Sequence, residues 1–393
     1  MSTITNEPQR PALKPLQPQL LQAQAQQPLQ PIADSVAVAS VVADPAVSVP
    51  VPALASSAAS SSSESDSRNK WWRGWRRRVV TRAMGLVLAY QLILVSLAWT
   101  ARTILLDVMA VSRDEFGQWE GVLSLIMVAI AIGFLTVMRR RDILTREFWM
   151  GGSHTDTYGE PNQIGRTSQY GGARMTPGRI LTFVVLTFGV QALLLLTSLI
   201  LVLAGTRLVS PSLEDIQQSL VTVSMWVYAG LVGPICEEML FRGVLLKELK
   251  PLGRNFAIVT SALAFGLFHQ DFTQGAFSFV LGLLLGFVAM EYSLVWAIAL
   301  HIFNNVVFGE MNRVLMTSFG YIGPVVYVLS VLVIGVIGTI IVLVRHGGGL
   351  KRYCRDNRST PGTYLSWTSW TFLAFAAITL AFAAYYFAGA LMG

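Results

Sequence analysis

Gly233-Pro234-Ile235-Cys236-Glu237-Glu238-Met239-Leu240-Phe241-Arg242 sets two carboxylates and a guanidinium inside an apolar stretch running from about 219 to 246. Charges are costly in hydrocarbon, so those found there are paired, face an interior cavity and mark function. Two later apolar stretches each carry one histidine, His269 and His301, and Asn305 follows the second by four residues. The surroundings are those of a membrane protein. Hydrophobic residues make up 53% of the 393, charged residues 13%, and the mean hydropathy is +0.55. That charged share is about half of what a soluble domain carries.

A net charge of +7 would suit a nucleic-acid partner in a soluble chain. Here the Lys and Arg residues gather at the ends of apolar stretches, as the positive-inside rule requires, so membrane lipids are the expected partners and nucleic acid is not. The two cysteines, Cys236 and Cys354, stand far apart in different settings and build neither a disulfide framework nor a Cys-based metal site.

The expected fold is an all-α, polytopic transmembrane bundle of about nine apolar segments behind a disordered N-terminal tail. The segments lie near 83–106, 118–138, 179–204, 219–246, 255–269, 276–291, 293–309, 322–344 and 367–391. Most reach the ~20 residues that a span needs, and the fifth to seventh are short. Four regions follow. Residues 1–70, rich in Pro, Gln, Ala and Ser, cannot bury enough surface to offset ordering entropy and read as a cytoplasmic tail. Residues 71–210 hold a Trp/Arg interfacial anchor beginning Trp71-Trp72-Arg73 and the first three segments. Residues 211–310 hold the charged cluster, and 311–393 the last two segments with a basic loop. Arg139–Arg141, Lys247–Arg254 and Arg345–Arg355 all fall on the inner side when the N-terminus is cytoplasmic. The 143–178 stretch reads as a flexible connector, and Ser212 as N-cap of a short helix over Leu213–Leu220.

Spacing within the segments assigns the polar groups to faces. Glu238 and Arg242 are i and i+4 and can neutralise each other, whereas Glu237 points about 100° away and stays free. Phe265 and His269 share the same spacing, as do His301 and Asn305. Counted from the Lys250–Arg254 turn at ~1.5 Å per residue, Glu237 and His269 both lie roughly 20 Å up their helices. Pro234 after Gly233 breaks or kinks the helix just before the glutamates, and the freed backbone groups admit water. Such a set suits hydrolysis: Glu237 takes a proton from a water that His269 helps to hold, and His301 and Asn305 donate to the oxyanion. Glu237, His269 and His301 are equally a donor set for Zn²⁺. Sequence alone leaves the metal-free and zinc schemes both open.

The three patterns, Glu237-Glu238-x-x-x-Arg242, Phe265-x-x-x-His269 and His301-x-x-x-Asn305, resemble in order and completeness those of the CAAX protease and bacteriocin-processing family of intramembrane endopeptidases, which includes the type 2 CAAX prenyl proteases. The resemblance covers about 219–309. It implies an all-helical fold and peptide-bond hydrolysis, with Glu237 and His269 activating water, His301 and Asn305 at the oxyanion, and Glu238, Arg242 and Phe265 as support. It implies as substrates prenylated CAAX-type peptides, bacteriocin precursors or membrane proteins, and permits a mechanism with no required cofactor, which is the one favoured. Two readings from other classes compete: a proton-coupled transporter using the glutamate pair, which needs repeated interrupted helices in both halves, and a non-catalytic immunity or scaffold protein of the same fold, which has no need of Glu237.

Overall fold

The computed structural model describes residues 55–155, 167–205, 209–210 and 222–392. Apolar sequence at helical spacing forms helices, and over their described residues the nine apolar stretches fall mainly on helical backbone. Helix α1 spans Ala55–Arg102 and ends in a π-turn at Thr103–Val108; α2 spans Arg113–Met138 and α3 Pro177–Leu203. A broken rod follows from Val223 to Leu249, alternating α and π turns. Then come α4 (Arg254–Phe268), α5 (Phe272–Glu291), α6 (Leu294–Phe319), α7 (Gly323–Leu332), α8 (Gly338–Asp356) and α9 (Trp370–Met392). Among the described residues six helical stretches are long and apolar enough to cross a membrane, while Arg254–Phe268 and Leu294–Gly309 are shorter apolar helices. The protein is a multi-pass membrane protein.

Helix α1 begins at Ala55, inside the stretch that composition assigns to the tail. Once the Trp/Arg segment has nucleated a helix, extending it backward costs only propagation, which Ala and Ser permit. The rest of that tail and the proposed helix at 213–220 lie outside the described residues. The anchor is held by specific bonds: Arg76 Nη2 donates to Thr360 Oγ1 at 2.8 Å, Arg77 to the Thr368 carbonyl at 2.9 Å, and Thr371 Oγ1 to the Thr81 carbonyl at 3.0 Å.

The 143–178 connector differs from its expectation. It opens with helical turns at Arg140–Ile143 and Arg146–Met150, followed by an antiparallel pair, β1 (Gly151–Thr155) and β2 (Thr167–Gly171), with residues 156–166 outside the described set. The pair lacks an alternating apolar face and so carries no periodic signal. Its anchor is an unsatisfied helix end. Gly172 and Ala173 donate their backbone N–H to the Tyr292 and Glu291 carbonyls at the end of α5, at 2.7 and 3.1 Å. Gly171 has φ +66°, and a Cβ there would lie 2.8 Å from the Tyr292 carbonyl oxygen.

Helices α4 and α5 form the closest pair, because glycine removes the side chains that would separate them. A Cβ at Gly266 would stand 2.6 Å from the Gly275 carbonyl oxygen, and one at Gly282 would meet the Ala262 backbone and the Arg242 guanidinium at 3.1 Å. The Gly282-x-x-x-Gly286 face thus packs α5 against the helix that ends in His269. Between α4 and α5 the chain turns through Gln270, with φ +55°, and Asp271 then caps α5 by accepting from Gln274 N at 2.8 Å.

Two predictions follow from this packing. Gly266→Ala must force backbone apart and should cost about 1–3 kcal/mol, read as a lower melting temperature in detergent; an unchanged melt would contradict the close approach. Lys247, beyond the charged rod's apolar part, donates Nζ to the Phe148 carbonyl at 2.5 Å and lies 4.2 Å from the centre of that ring. Burial pushes its pKa down from 10.5 to about 7, against the opposing pull of Asp142 and Glu147. Between about pH 7 and 10 the unfolded chain holds a proton that the folded chain has released, so stability rises with pH in that window. Lys247→Met should flatten the rise, measured as melting temperature at either end of the window.

Candidate active site

Four pieces of chain bring the polar groups together: the broken rod, the C-terminal end of α4, α5 and the middle of α6. Glu238 and Arg242 lie one turn apart on the rod, and Arg242 Nη1 donates to Glu238 Oε1 at 2.7 Å with both side chains 0% exposed. Arg242 Nη2 also reaches the Gly282 carbonyl on α5 at 3.4 Å. From α6, His301 Nδ1 meets the same Glu238 Oε1 at 2.9 Å. An imidazole nitrogen facing a carboxylate already paired with arginine must carry the proton, so His301 is an Nδ1–H donor. Its other nitrogen, Nε2, is thereby turned toward Glu237 Oε2, 3.8 Å away.

The two adjacent glutamates are therefore placed in different surroundings. Glu238 is fully buried, whereas the Glu237 side chain keeps 22% of its exposure. A helix rotates each residue about 100° from the last, and that turn separates the fully buried carboxylate from the partly exposed one.

His269 caps the end of α4, and its Nδ1 faces the Phe265 carbonyl at 2.8 Å. A carbonyl only accepts, so Nδ1 bears the proton and Nε2 presents a lone pair. Phe265 packs edge-on to both imidazoles, with ring centres 4.8 Å from His269 and 5.6 Å from His301, and the Arg242 guanidinium lies 4.3 Å from its ring centre. One aromatic ring thus touches three of the charged or titratable groups. His269 also lies within electrostatic reach of Glu237, His301 and Arg242.

Asn305 is placed differently from the others. Its Nδ2 donates to the Ala229 carbonyl at 2.9 Å, one turn along α6 from His301. The reason lies in the proline. In the π-turn Tyr228–Val232 the Gly233 N–H bonds to the Tyr228 carbonyl, and the next donor in that register would be Pro234, which has no N–H. The Ala229 carbonyl is left for a side chain. The break or kink expected at Pro234 takes the form of a change from π to α register within a continuous helix, and the freed backbone group is taken by Asn305. The second N–H of that carboxamide remains.

Two polar residues absent from the sequence reading join this site. Asn304 Nδ2 donates to Asn305 Oδ1 at 3.0 Å, and Gln191 Nε2 on α3 donates to Asn304 Oδ1 at 3.1 Å. A glutamine in an otherwise apolar segment, Thr187 to Leu196, was the available signal. Cys236, beside Glu237, is a free buried thiol. Among the described residues no group of three His, Cys, Asp or Glu side chains is arranged to hold a metal ion.

Removing one partner of a buried ion pair leaves the other uncompensated, at a cost of ~3–5 kcal/mol. Arg242→Leu should therefore lose folded protein, measured as monodisperse yield and melting temperature. Pairing it with Glu238→Gln should recover most of the loss; equal instability of the single and double variants would contradict the pairing.

Residues 219–307 match the family model described as Type II CAAX prenyl endopeptidase Rce1-like. No curated protein and no solved structure matches the chain. The match covers the broken rod and α4 to α6 through Asn305, and leaves α1 to α3 and α7 to α9 outside it. Over residues 219–307 this membrane protein is similar to the Rce1-like, type II CAAX prenyl endopeptidase family.

Proposed function

We propose that the protein is an intramembrane endopeptidase of the cell membrane, with a cytoplasmic N-terminus, that hydrolyses a peptide bond in membrane-associated substrates by a water activated at Glu237. Prenylated CAAX-type peptides are the substrate class the family match favours. The observation that carries the reading is the split between the glutamates: Glu238 is sealed in its pairing with Arg242 and His301, while Glu237 stays open beside His301 Nε2.

The lone pair on His269 Nε2 accepts one O–H of the attacking water and Glu237 takes the proton from the other, which aims the oxygen at the scissile carbonyl. As the carbonyl becomes tetrahedral, negative charge develops on its oxygen. The remaining Asn305 N–H donates to that oxygen, and so does the Nε2–H of His301, a role that requires His301 as the imidazolium with both nitrogens protonated throughout the cycle. Glu237 then returns its proton to the leaving amine, so no proton is lost from the site over the cycle. Arg242 and Glu238 touch none of the reacting atoms. They hold His301 by its far nitrogen, in the way that a carboxylate fixes the tautomer of a catalytic histidine.

The test is cleavage of a farnesylated reporter peptide ending in Cys, two aliphatic residues and a final residue. Glu237→Gln and His269→Ala should each lower kcat by about 10²–10⁴-fold, with melting temperatures near that of the unmodified protein and with turnover unaffected by a chelator. Glu238→Gln should lower melting temperature more than it lowers kcat. Full turnover by Glu237→Gln would overturn the reading.

A further inference from the structure

Burying a side-chain amide among hydrocarbon is unfavourable unless its hydrogen bonds are met. The described structure nevertheless buries Gln191 on α3, at 8% exposure, against Asn304 on α6, at 5%. The two form the first link of a chain of carboxamides: Gln191 Nε2 to Asn304 Oδ1, Asn304 Nδ2 to Asn305 Oδ1, and Asn305 Nδ2 to the Ala229 carbonyl, at 3.1, 3.0 and 2.9 Å.

The direction of the chain is fixed from its far end. The Ala229 carbonyl can only accept, so Asn305 must turn its nitrogen to it and its oxygen toward Asn304. Asn304 must then present nitrogen to that oxygen, which leaves its own oxygen for Gln191, and Gln191 must present nitrogen. Reversing any one amide would set two like groups against each other. A carboxamide held at both its oxygen and one N–H has a single remaining direction for its second N–H. Without Gln191, Asn304 Oδ1 loses its donor, so the Asn304 carboxamide is held at one end only and its bond to Asn305 Oδ1 is less firmly fixed.

We propose that Gln191 is a positioning residue: acting through Asn304, it fixes the Asn305 carboxamide so that the second N–H is held toward the oxyanion. Gln191 lies outside the matched segment 219–307, so α3 takes part in the chemistry of a core to which it contributes no motif. The inference rests on the reading of Asn305 as an oxyanion donor, and its test separates the two.

The enzyme variants are Gln191→Leu, Asn304→Asp, Asn305→Ala and the double variant Gln191→Leu/Asn305→Ala, assayed in detergent with the farnesylated reporter peptide. Asn305→Ala should lower kcat about 100-fold, the scale of one lost oxyanion donor. Gln191→Leu should lower kcat about 10-fold with KM unchanged, because orientation rather than ground-state binding is lost. Adding Gln191→Leu to Asn305→Ala should change kcat less than about two-fold, since two residues acting in series do not add. Asn304→Asp keeps the bond from Gln191 but sets an acceptor against Asn305 Oδ1, and should lower kcat at least as much as Gln191→Leu; it also serves if the leucine variant fails to fold. Selective ¹⁵N-asparagine labelling gives a second readout that needs no substrate: the Asn305 side-chain amide pair, assigned by its loss in Asn305→Ala, should shift or broaden in Gln191→Leu. Unchanged kcat in Asn305→Ala would defeat the oxyanion reading alone. Losses that multiply in the double variant, or an unshifted Asn305 amide in Gln191→Leu, would overturn the role given to Gln191.

Discussion

One carboxylate oxygen, Glu238 Oε1, receives both Arg242 Nη1 and His301 Nδ1, and the rest of the site depends on that convergence. Each ion alone would be too costly at this depth, and each is tolerated because the other neutralises it. The pair is not a large source of net stability, since desolvating both charges offsets most of their attraction. Its consequence is geometric. Arg242 ties the broken rod to α5 through the Gly282 carbonyl, and Glu238 ties the rod to α6 through His301. Three helical elements are thereby held in one arrangement, and His301 is left with only Nε2 to offer toward Glu237.

The irregular backbone has the complementary part. A regular α-helix through Tyr228–Leu249 would pair the Ala229 carbonyl with the Gly233 N–H and withhold it from Asn305. Pro234 and the π-turns free the Ala229 carbonyl, and the close Gly266–Gly275 approach lets α4 end at His269 beside the rod. A backbone carbonyl freed in this way must be met by another group away from water, and a side chain from α6 meets it.

What could be read from sequence were groups whose spacing dictates contact. Glu238 and Arg242 at i and i+4 had to meet if the rod was helical, and Phe265 had to lie beside His269. The apolar stretches located the helices for the same reason. Three features were hidden. The β1–β2 pair has no amphipathic period, and its anchor is a helix end far along the chain. Asn305 shares a face with His301, but its partner is a carbonyl released by a proline in another helix, which spacing within α6 cannot show. Gln191 pairs across 113 residues of sequence, and only packing brings it to Asn304.

The most direct measurement is the ¹⁵N and ¹H spectrum of His301 in histidine-labelled protein, assigned by comparison with His301→Gln. The shared Glu238 oxygen predicts a proton on Nδ1 in a strong hydrogen bond, with a downfield resonance that disappears in Glu238→Ala. A proton on Nε2 with Nδ1 bare, or a His301 signal indifferent to Glu238, would contradict it.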